Sequence, residues 1–464
     1  MDYDVLVLGG GIVGCSVAYE LSKYNLNIAV IERDYDVIDD ISSINASIIY
    51  DGSEAKNEDI TQLEIKGQKL IEEACKRYKV KIDRVGSLRI ATNGDNKEID
   101  KIEDMYKKAT DRKVQDVNLI EDEKQIRDLA GLENLKANKA LYSKNVSVLN
   151  PYELAIAYGE VAADNGVIFR FQEEVNNIEK TAKNFKVTTN RNKFNCKVVI
   201  DTISSNFITD VNTKQIEKDK KYVTYLIANN VGKKVNKIIL NKVEPGVLLF
   251  NVPNETEDLI LGIKANKVLN KKEALGYCQK LYPSLNLKNI VNMFIEKYED
   301  SMVIDYNALD EGYIKLTGSN YSKMTLTPAI AKNIVESIAK NLNVKRKKNF
   351  IDKRREVYCF RRMNDEERNE IIKIDKRYGN IICACNQVSE GEIVDCIRRP
   401  LGARTVEGIR KRTGAGLGSC YGSYCSRKII KILANEMGIK PTDVVQDEKN
   451  SKVWVGRIKE YNEV

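Results

Sequence analysis

Residues 3–32, YDVLVLGGGIVGCSVAYELSKYNLNIAVIE, decide the fold. The first six form a nearly continuous apolar run, the pattern of a strand buried on both faces of a parallel sheet. Gly9-Gly10-Gly11-Ile12-Val13-Gly14 then satisfies GxGxxG, and Val17, Ala18 and Leu21 recur at helical spacing. A second strand over residues 27–31 ends on Glu32. Together these make a complete βαβ unit, the fingerprint of a dinucleotide site, rather than a lone glycine motif. Gly9 permits the turn, Gly11 lets the backbone approach a pyrophosphate, and Gly14 lets helix and strand pack closely. The helix N-terminus attracts phosphate. Glu32 is placed to accept from ribose hydroxyls, with Arg33 beside it as a further cofactor-binding candidate. The fingerprint alone does not separate FAD from NAD.

A second organising stretch lies near the other end, at residues 381–428. It opens IICACNQVSEGEI and closes GLGSCYGSYCSRK. Cys383 and Cys385 form one tight pair and Cys420 and Cys425 another, with a helical segment between. Four sulfurs so arranged suit either an iron–sulfur cluster or structural zinc. Gly414, Gly416, Gly418 and Gly422 keep the backbone close, so that its N–H groups could donate to sulfur. Arg410, Lys411, Arg412, Arg427 and Lys428 offset the negative charge of a thiolate centre. Ser389 with Glu392 makes a capping box, and Thr405 caps the next helix. Cys425 opens a last helix with Ile429, Ile430, Leu433 and Met437 on one face.

The 464 residues suffice for two or three domains with their own cores. Hydrophobic residues make up 42% and charged residues 31%, a globular balance. The net charge of +8 is spread over many Lys-rich segments, which argues against a nucleic-acid footprint. No run of 18 apolar residues occurs. That predicts no transmembrane segment and leaves peripheral membrane contact open. The N-terminus enters a strand without a signal-peptide profile, and ten cysteines suit a reducing cytoplasm better than a disulfide scaffold. There is no histidine. Ser–His–Asp and Cys–His hydrolases and zinc hydrolases with histidine ligands are therefore excluded.

CAC and CYGSYC, with EGEIVDCIRRPLGARTVEGIRKRTGAGLG between them, resemble the bacterioferritin-associated-ferredoxin-like [2Fe-2S] module. The version resembled is the one fused to anaerobic glycerol-3-phosphate dehydrogenase large subunits and related flavoproteins. The resemblance implies Cys383, Cys385, Cys420 and Cys425 as ligands and leaves Cys396 outside the pattern. SSINASIIYDG at residues 42–52 resembles the second flavin-contacting stretch of the D-amino-acid-oxidase-like family, which includes glycerol-3-phosphate and L-2-hydroxyglutarate dehydrogenases. It implies FAD, with Ser43, Asn45 and Ser47 along the pyrophosphate. Relatives often carry histidine where this chain has Tyr50, which makes Tyr50 the catalytic candidate; Lys264 or a carboxylate is the alternative proton acceptor. The same resemblance puts the backbone of Val175 at adenine and Gly318, Thr325 and Thr327 against the flavin. Pro328 then stands at an early helical position.

Two departures stand out. Thr202-Ile203-Ser204-Ser205 replaces the usual small residues and glycine near the flavin phosphates. Tyr298 stands where relatives present a substrate-gripping arginine, and Glu296, Glu299 and Asp300 around it would repel an anion.

The expected fold is α/β. A Rossmann-like FAD-binding domain spans residues 1–80, 145–215 and 305–343, with an inserted antiparallel α+β substrate domain at 81–144 and 216–304. A basic linker without an obvious core covers 344–380, a small helical [2Fe-2S] domain 381–442, and a tail 443–464. Residues 97–128 read as a solvated helical surface. The expected function is an FAD-dependent dehydrogenase acting on glycerol 3-phosphate, a 2-hydroxy acid or an amino acid, which passes electrons through the cluster to a second redox protein, a flavoprotein. The alternative is an electron-transfer or scaffold subunit that has lost substrate oxidation. Arg398, Arg399 and Arg404 offer a basic docking face.

Overall fold

The computed structural model describes residues 2–38, 47–92, 94–203, 220–229, 235–253, 258–299, 301–305, 312–319, 321–418 and 420–456. Tyr3–Leu8 lies in the middle of a sheet, parallel to Ile28–Ile31 on one side and to Lys193–Asp201 on the other. Ile168–Arg170 extends the sheet beyond Ile28–Ile31, and Tyr313–Ser319 runs parallel to the end of Lys193–Asp201. The carboxyl ends of these strands open on one edge, the place where such sheets take their ligands. Val175–Lys180 and Phe185–Thr189 add an antiparallel flank.

The helices follow the chain's excursions. α1 (Ile12–Ser22) is buried along its whole length, as its apolar sequence requires. α2 (Glu58–Tyr78) precedes a departure into a second sheet, where α3 (Asn96–Asp111) and α4 (Glu123–Ala130) pack. α5 (Pro151–Asp164) returns the chain to the first sheet. α6 (Lys271–Gln279) belongs to the second departure, and α7 (Lys323–Asn341) ends it. Pro328 lies inside α7 rather than in its first turn, because the helix already starts at Lys323 and Leu326 N–H donates to the Ser322 carbonyl (3.0 Å).

The second sheet is ordered Ile290–Glu299, Lys220–Ala228, Leu259–Ala265, Val247–Val252, Ile238–Glu244, Ser87–Thr92, Ala137–Ser143, Val117–Ile120. It is antiparallel except at one joint: Ile238–Glu244 and Ser87–Thr92, which come from the two separate excursions, pair in parallel.

Residues 344–377 differ from a coreless linker. Phe350 packs on the core around α1 and α5, and Lys347 donates to the Asn165 carbonyl (2.7 Å). The hydroxyls of Tyr19 and Tyr78, and the Arg77 guanidinium, all donate to Asp352. Phe360, Ile371 and Tyr378 form a small cluster under α8 (Asp365–Ile374). Asp352, Arg354 and Arg355 of this segment are bound to partners far away in sequence.

The last unit contains α9 (Glu390–Arg398), α10 (Val406–Thr413) and α11 (Ser426–Met437) around its own apolar core. The Ser389–Glu392 capping box is complete, and Thr405 accepts from Gly408 N–H (2.9 Å). The unit is docked rather than tethered. Leu401 inserts among the core residues of α1 and α5, against Gly159. Arg412 grips Asp36 with both terminal nitrogens, one of them at 2.7 Å. Arg399 is buried against Glu160 and so is not part of an exposed basic face. Arg398 is engaged by Glu436, and Arg404 donates to the Ile397 carbonyl.

Candidate functional site

The phosphate turn has the shape its glycines suggest. Gly9 sits at φ +96°, and a Cβ on Gly14 would lie 1.9 Å from the Gly9 carbonyl oxygen. Only glycine at both places lets α1 start this close to the strand. Gly11 is the N-cap of α1, with no side-chain cap and no acidic residue in the first turn, so the helix N–H groups are left for an anion. Glu32 folds over the turn, with Oε2 accepting from Gly10 N–H (2.6 Å) and Oε1 from Asp34 N–H (2.9 Å). Arg33 is exposed and paired with Asp34. Thr202 Oγ1 donates to the Leu8 carbonyl (2.7 Å) and stands over Gly9. Val175 is buried at the start of its strand. Ser43 and Asn45 lie outside the described residues, whereas Ser47 is half-buried just before Ile48–Ile49. Gly318 lies opposite Met302 in the strand leading to α7. Thr325 Oγ1 accepts from Tyr50 N–H (3.0 Å), and Thr327 Oγ1 donates back to the Lys323 carbonyl (2.7 Å). The cradle fits a dinucleotide.

A chamber of about 1020 Å³ opens between the second sheet, α3 and the segment around Tyr50. Tyr50 and Tyr321 meet edge to face on its wall (centroids 4.9 Å apart). Burial, followed by nearby carboxylates, pushes both phenols well above the ordinary tyrosine value. Tyr50 thus keeps its proton at neutral pH, which tells against its expected role as proton acceptor.

Lys56, Lys101, Lys108, Lys221, Lys242 and Lys264 line the same chamber. Lys264 Nζ stands 5.9 Å from the centroid of the Tyr321 ring. Arg89 is there too, matched by Glu54 (2.9 Å) and Glu98 (2.8 Å), as Lys242 is matched by Asp95 (3.0 Å) and Lys108 by Asp104. The side chains of Tyr298 and Glu299, and the whole of Asp300, lie outside the described residues, and Glu296 accepts from Tyr225. The described lining is mainly cationic, with Glu54 and Asp104 as its acids. α3 is a solvated surface as expected, and its exposed Lys101, Asp104 and Lys108 also border the chamber. Lys101, Asp104, Met105 and Lys108 recur at i, i+3, i+4, i+7 and form one helix face, a signal visible in the sequence.

The four expected cysteines come together as two pairs. Cys385 Sγ and Cys420 Sγ are 3.5 Å apart, and Cys425 faces Cys383. Cys420 is held below the ordinary thiol value by the Cys385 thiol and then by the Gly422 N–H, with Tyr424 and Ser423 N–H groups adding to it. Burial and Cys383 push Cys425 up to about 11. A Cβ on Gly418 would lie 2.2 Å from the Cys385 Cβ. Among the described residues no group of three or more ligating side chains closes round a single ion. Two thiol pairs in a glycine cradle with N–H donors fit a two-iron centre. Cys396 is buried elsewhere, its thiol donating to the Ile393 carbonyl (3.1 Å).

The family described as FAD dependent oxidoreductase (DAO) matches residues 4–337, and the BFD-like [2Fe-2S] binding domain matches residues 381–435. A glycerol 3-phosphate dehydrogenase of Caloramator mitchellensis is 31% identical over 98% of this chain and 99% of its own. A mitochondrial L-2-hydroxyglutarate dehydrogenase of Dictyostelium discoideum is 27% identical over 40% of this chain and 42% of its own. Among solved structures, the dithionite-reduced L-α-glycerophosphate oxidase of Mycoplasma pneumoniae with FAD bound superposes with a TM-score of 0.65. It is 21% identical and covers 76% of this chain and 98% of that one. The open phosphate turn and the paired thiols thus find one explanation: the chain belongs to the FAD-dependent oxidoreductase (DAO) family and carries a BFD-like [2Fe-2S] domain at its C-terminal end.

Proposed function

We propose that this protein dehydrogenates a small phosphorylated alcohol of the glycerol 3-phosphate class and sends the electrons out through its C-terminal domain. The observation that carries the reading is the lysine-lined chamber beside Tyr50 and Tyr321. Lys108 is paired with Asp104 and Lys242 with Asp95 (3.0 Å), yet basic residues outnumber acids in the lining, and that excess raises the local concentration of a dianion. The Caloramator relative's name points the same way. Bound FAD supplies the hydride acceptor, and the cluster supplies a one-electron outlet. The chain's own work is to hold the phosphate, present the carbinol carbon and take up a proton.

On this reading Gly9, Gly11, Gly14, Glu32, Arg33, Ser43, Asn45, Ser47, Val175, Gly318, Thr325 and Thr327 serve FAD, and Cys383, Cys385, Cys420 and Cys425 hold the cluster. Residues 1–80, 145–215 and 305–343 then form the cofactor domain, and 81–144 with 216–304 the substrate domain. The electrons pass to a second redox protein, a flavoprotein, in the cytoplasm. None of the ten cysteines is paired in a disulfide, in agreement with that compartment, and among the described residues no helix is long and apolar enough to cross a membrane. Exposed Cys385, flanked by exposed Leu417, Tyr421 and Tyr424, gives such a partner a contact at the cluster end.

The test is anaerobic bleaching of the flavin band. Glycerol 3-phosphate should bleach it, with a half-saturating concentration that rises with salt as charges are screened. Uncharged glycerol should be ineffective. Lys264→Met should raise that concentration about tenfold, the scale of one ~1.4 kcal/mol contact, with less effect on the rate at saturation. Failure of glycerol 3-phosphate, 2-hydroxy acids and amino acids alike, with FAD bound, would instead favour the electron-transfer subunit, a reading that the absence of histidine keeps in view.

A further inference from the structure

Electrons that leave through the C-terminal unit need a surface on which their acceptor can sit. The four thiols differ in depth: Cys383 and Cys425 are buried, Cys420 is half-buried and Cys385 is exposed. Cys385 and Cys420 are thus the side of the group that a partner can reach.

Three large apolar side chains flank that side. Leu417 is 62% exposed, Tyr421 65% and Tyr424 83%. Single exposed apolar residues are ordinary on a protein surface, but three within residues 417–424 make a patch. Tyr421 is also held at φ +50°, a left-handed conformation unfavourable for a bulky residue. Its N–H donates to the Gly418 carbonyl (2.9 Å), which closes the turn, yet the ring gains no burial from it. Backbone strain of this kind persists where it serves a site.

The charge beside the patch has one sign. Residues 408–435 carry Arg410, Lys411, Arg412, Arg427, Lys428 and Lys431 and no Asp or Glu. The first three are engaged: Arg410 with Glu407 (3.4 Å), Lys411 over the Tyr152 ring and Arg412 with Asp36 (2.7 Å). Arg427, Lys428 and Lys431 are exposed and form no ion pair among the described residues. Arg427 and Lys428 stand in the first turn of α11, where the helix dipole disfavours cations and no acidic residue offsets them. Helix stability therefore does not account for them. Neither does balancing the thiolates, because water screens exposed charges. Arg410, tucked against Gly416 and Gly422, is better placed for that.

We propose that this face binds an acidic electron-carrier protein, one whose cofactor reaches the surface at an apolar edge ringed by Asp and Glu. The proposal rests on the reading that electrons leave through the C-terminal unit. Leu417, Tyr421 and Tyr424 form the dry centre of the contact. Arg427, Lys428 and Lys431 form its rim, which steers the encounter and sets its salt dependence. Aromatic rings among cations also suit an anionic lipid surface. The reachable thiols within the patch favour a partner that accepts electrons, which lipid does not. A second copy of the chain would bring like charges together.

Calorimetric titration of the full chain as purified with two small carriers of opposite charge, an acidic flavodoxin and a basic cytochrome c, tests this. Flavodoxin should bind and cytochrome c should not. Raising the ionic strength from about 0.01 to about 0.1 M, which shortens the Debye length from about 30 to about 10 Å, should weaken the flavodoxin complex about tenfold. Lys428→Glu with Lys431→Glu should weaken it about a hundredfold and flatten that salt dependence. Tyr424→Ser should weaken it about tenfold at either ionic strength. Iron analysis shows whether each variant keeps its centre. If the double variant loses iron, Lys431→Glu alone, a turn further along α11, decides. No flavodoxin binding at low ionic strength, equal binding of both carriers, or unchanged affinity in Lys431→Glu and Tyr424→Ser would overturn the proposal. Sedimentation of the chain with phosphatidylserine vesicles, lost in the same variants, would assign the face to lipid instead. The titration needs no substrate, so glycerol 3-phosphate failing to bleach the flavin would sink the dehydrogenase reading and leave this result standing.

Discussion

Replacing Glu160 by glutamine is expected to weaken the docking of the C-terminal unit by about 3–5 kcal/mol, the cost of breaking a buried ion pair from one side. Glu160 lies in α5 with a side chain 1% exposed. Its carboxylate accepts from Arg354 Nε (2.7 Å), Arg399 Nε (2.6 Å) and Arg399 Nη2 (3.1 Å). Arg354 belongs to the segment that crosses from the cofactor domain, and Arg399 follows α9. One carboxylate thus joins three parts of the chain. Arg399 spends its remaining donors on the carbonyls of Arg355 (2.7 Å) and Glu356 (3.0 Å) and on Asp395. Glutamine keeps the volume of Glu160 but leaves buried Arg354 without its countercharge and Arg399 with Asp395 alone (3.2 Å).

The loss should appear as an earlier urea transition for cluster absorbance than for flavin fluorescence, because the undocked unit rests on its own small apolar core alone and unfolds first. Restoring neutrality by changing Glu160, Arg354 and Arg399 together to apolar residues should recover much of the stability. A Glu160→Gln midpoint within the range of ordinary surface substitutions, about 0.5 kcal/mol, would sink the argument. Acid should mimic the mutation. Burial raises the Glu160 pKa, but Arg354 and Arg399 outweigh it and hold the group below its ordinary 4.5. A depressed carboxylate contributes stability that is present above its unfolded value and lost as pH falls through its folded one. Undocking should therefore begin only below the usual carboxylate range.

What was legible in the sequence was local. Residues 3–32 fix a strand, a turn that only glycine can make and a helix, all from near neighbours, and the two cysteine pairs carry their glycines with them. The capping box at Ser389 is likewise a four-residue signal. The misread parts depend on partners hundreds of residues away. Residues 344–377 are dense in charge, and nothing nearby says that Asp352 meets Tyr19 and Tyr78 or that Arg354 meets Glu160. Arg399 looked exposed for the same reason.

Glu64 is an intermediate case. The buried face of α2 holds Thr61, Glu64, Gly67, Ile71, Ala74, Cys75 and Tyr78. A glutamate in register with that row was a visible anomaly. Its burial depends on α7, which meets α2 backbone to backbone at Gly67 and which the sequence places about 260 residues further on.

Serine at Cys420 or Cys425 is expected to empty the C-terminal centre: iron should fall from about two per chain, the count for a [2Fe-2S] assignment, to near zero, with FAD retained. Losing even a group behind a metal ligand typically costs about 10–100-fold in affinity, and removing one of two facing thiols should cost more. The unit should nevertheless stay folded, because Ile393, Ile409, Ile429 and Leu433 form a fully buried apolar core of its own. Anaerobic bleaching by substrate should survive, while turnover with a one-electron acceptor should collapse, separating hydride removal from electron exit. Cys396→Ser is the internal control. Burial raises that thiol to about 12, and it is hydrogen-bonded within α9, so iron should not change. Iron analysis of these variants beside the wild type is decisive. Two irons retained in Cys420→Ser, or lost in Cys396→Ser, would mean that the centre is not built from the two thiol pairs.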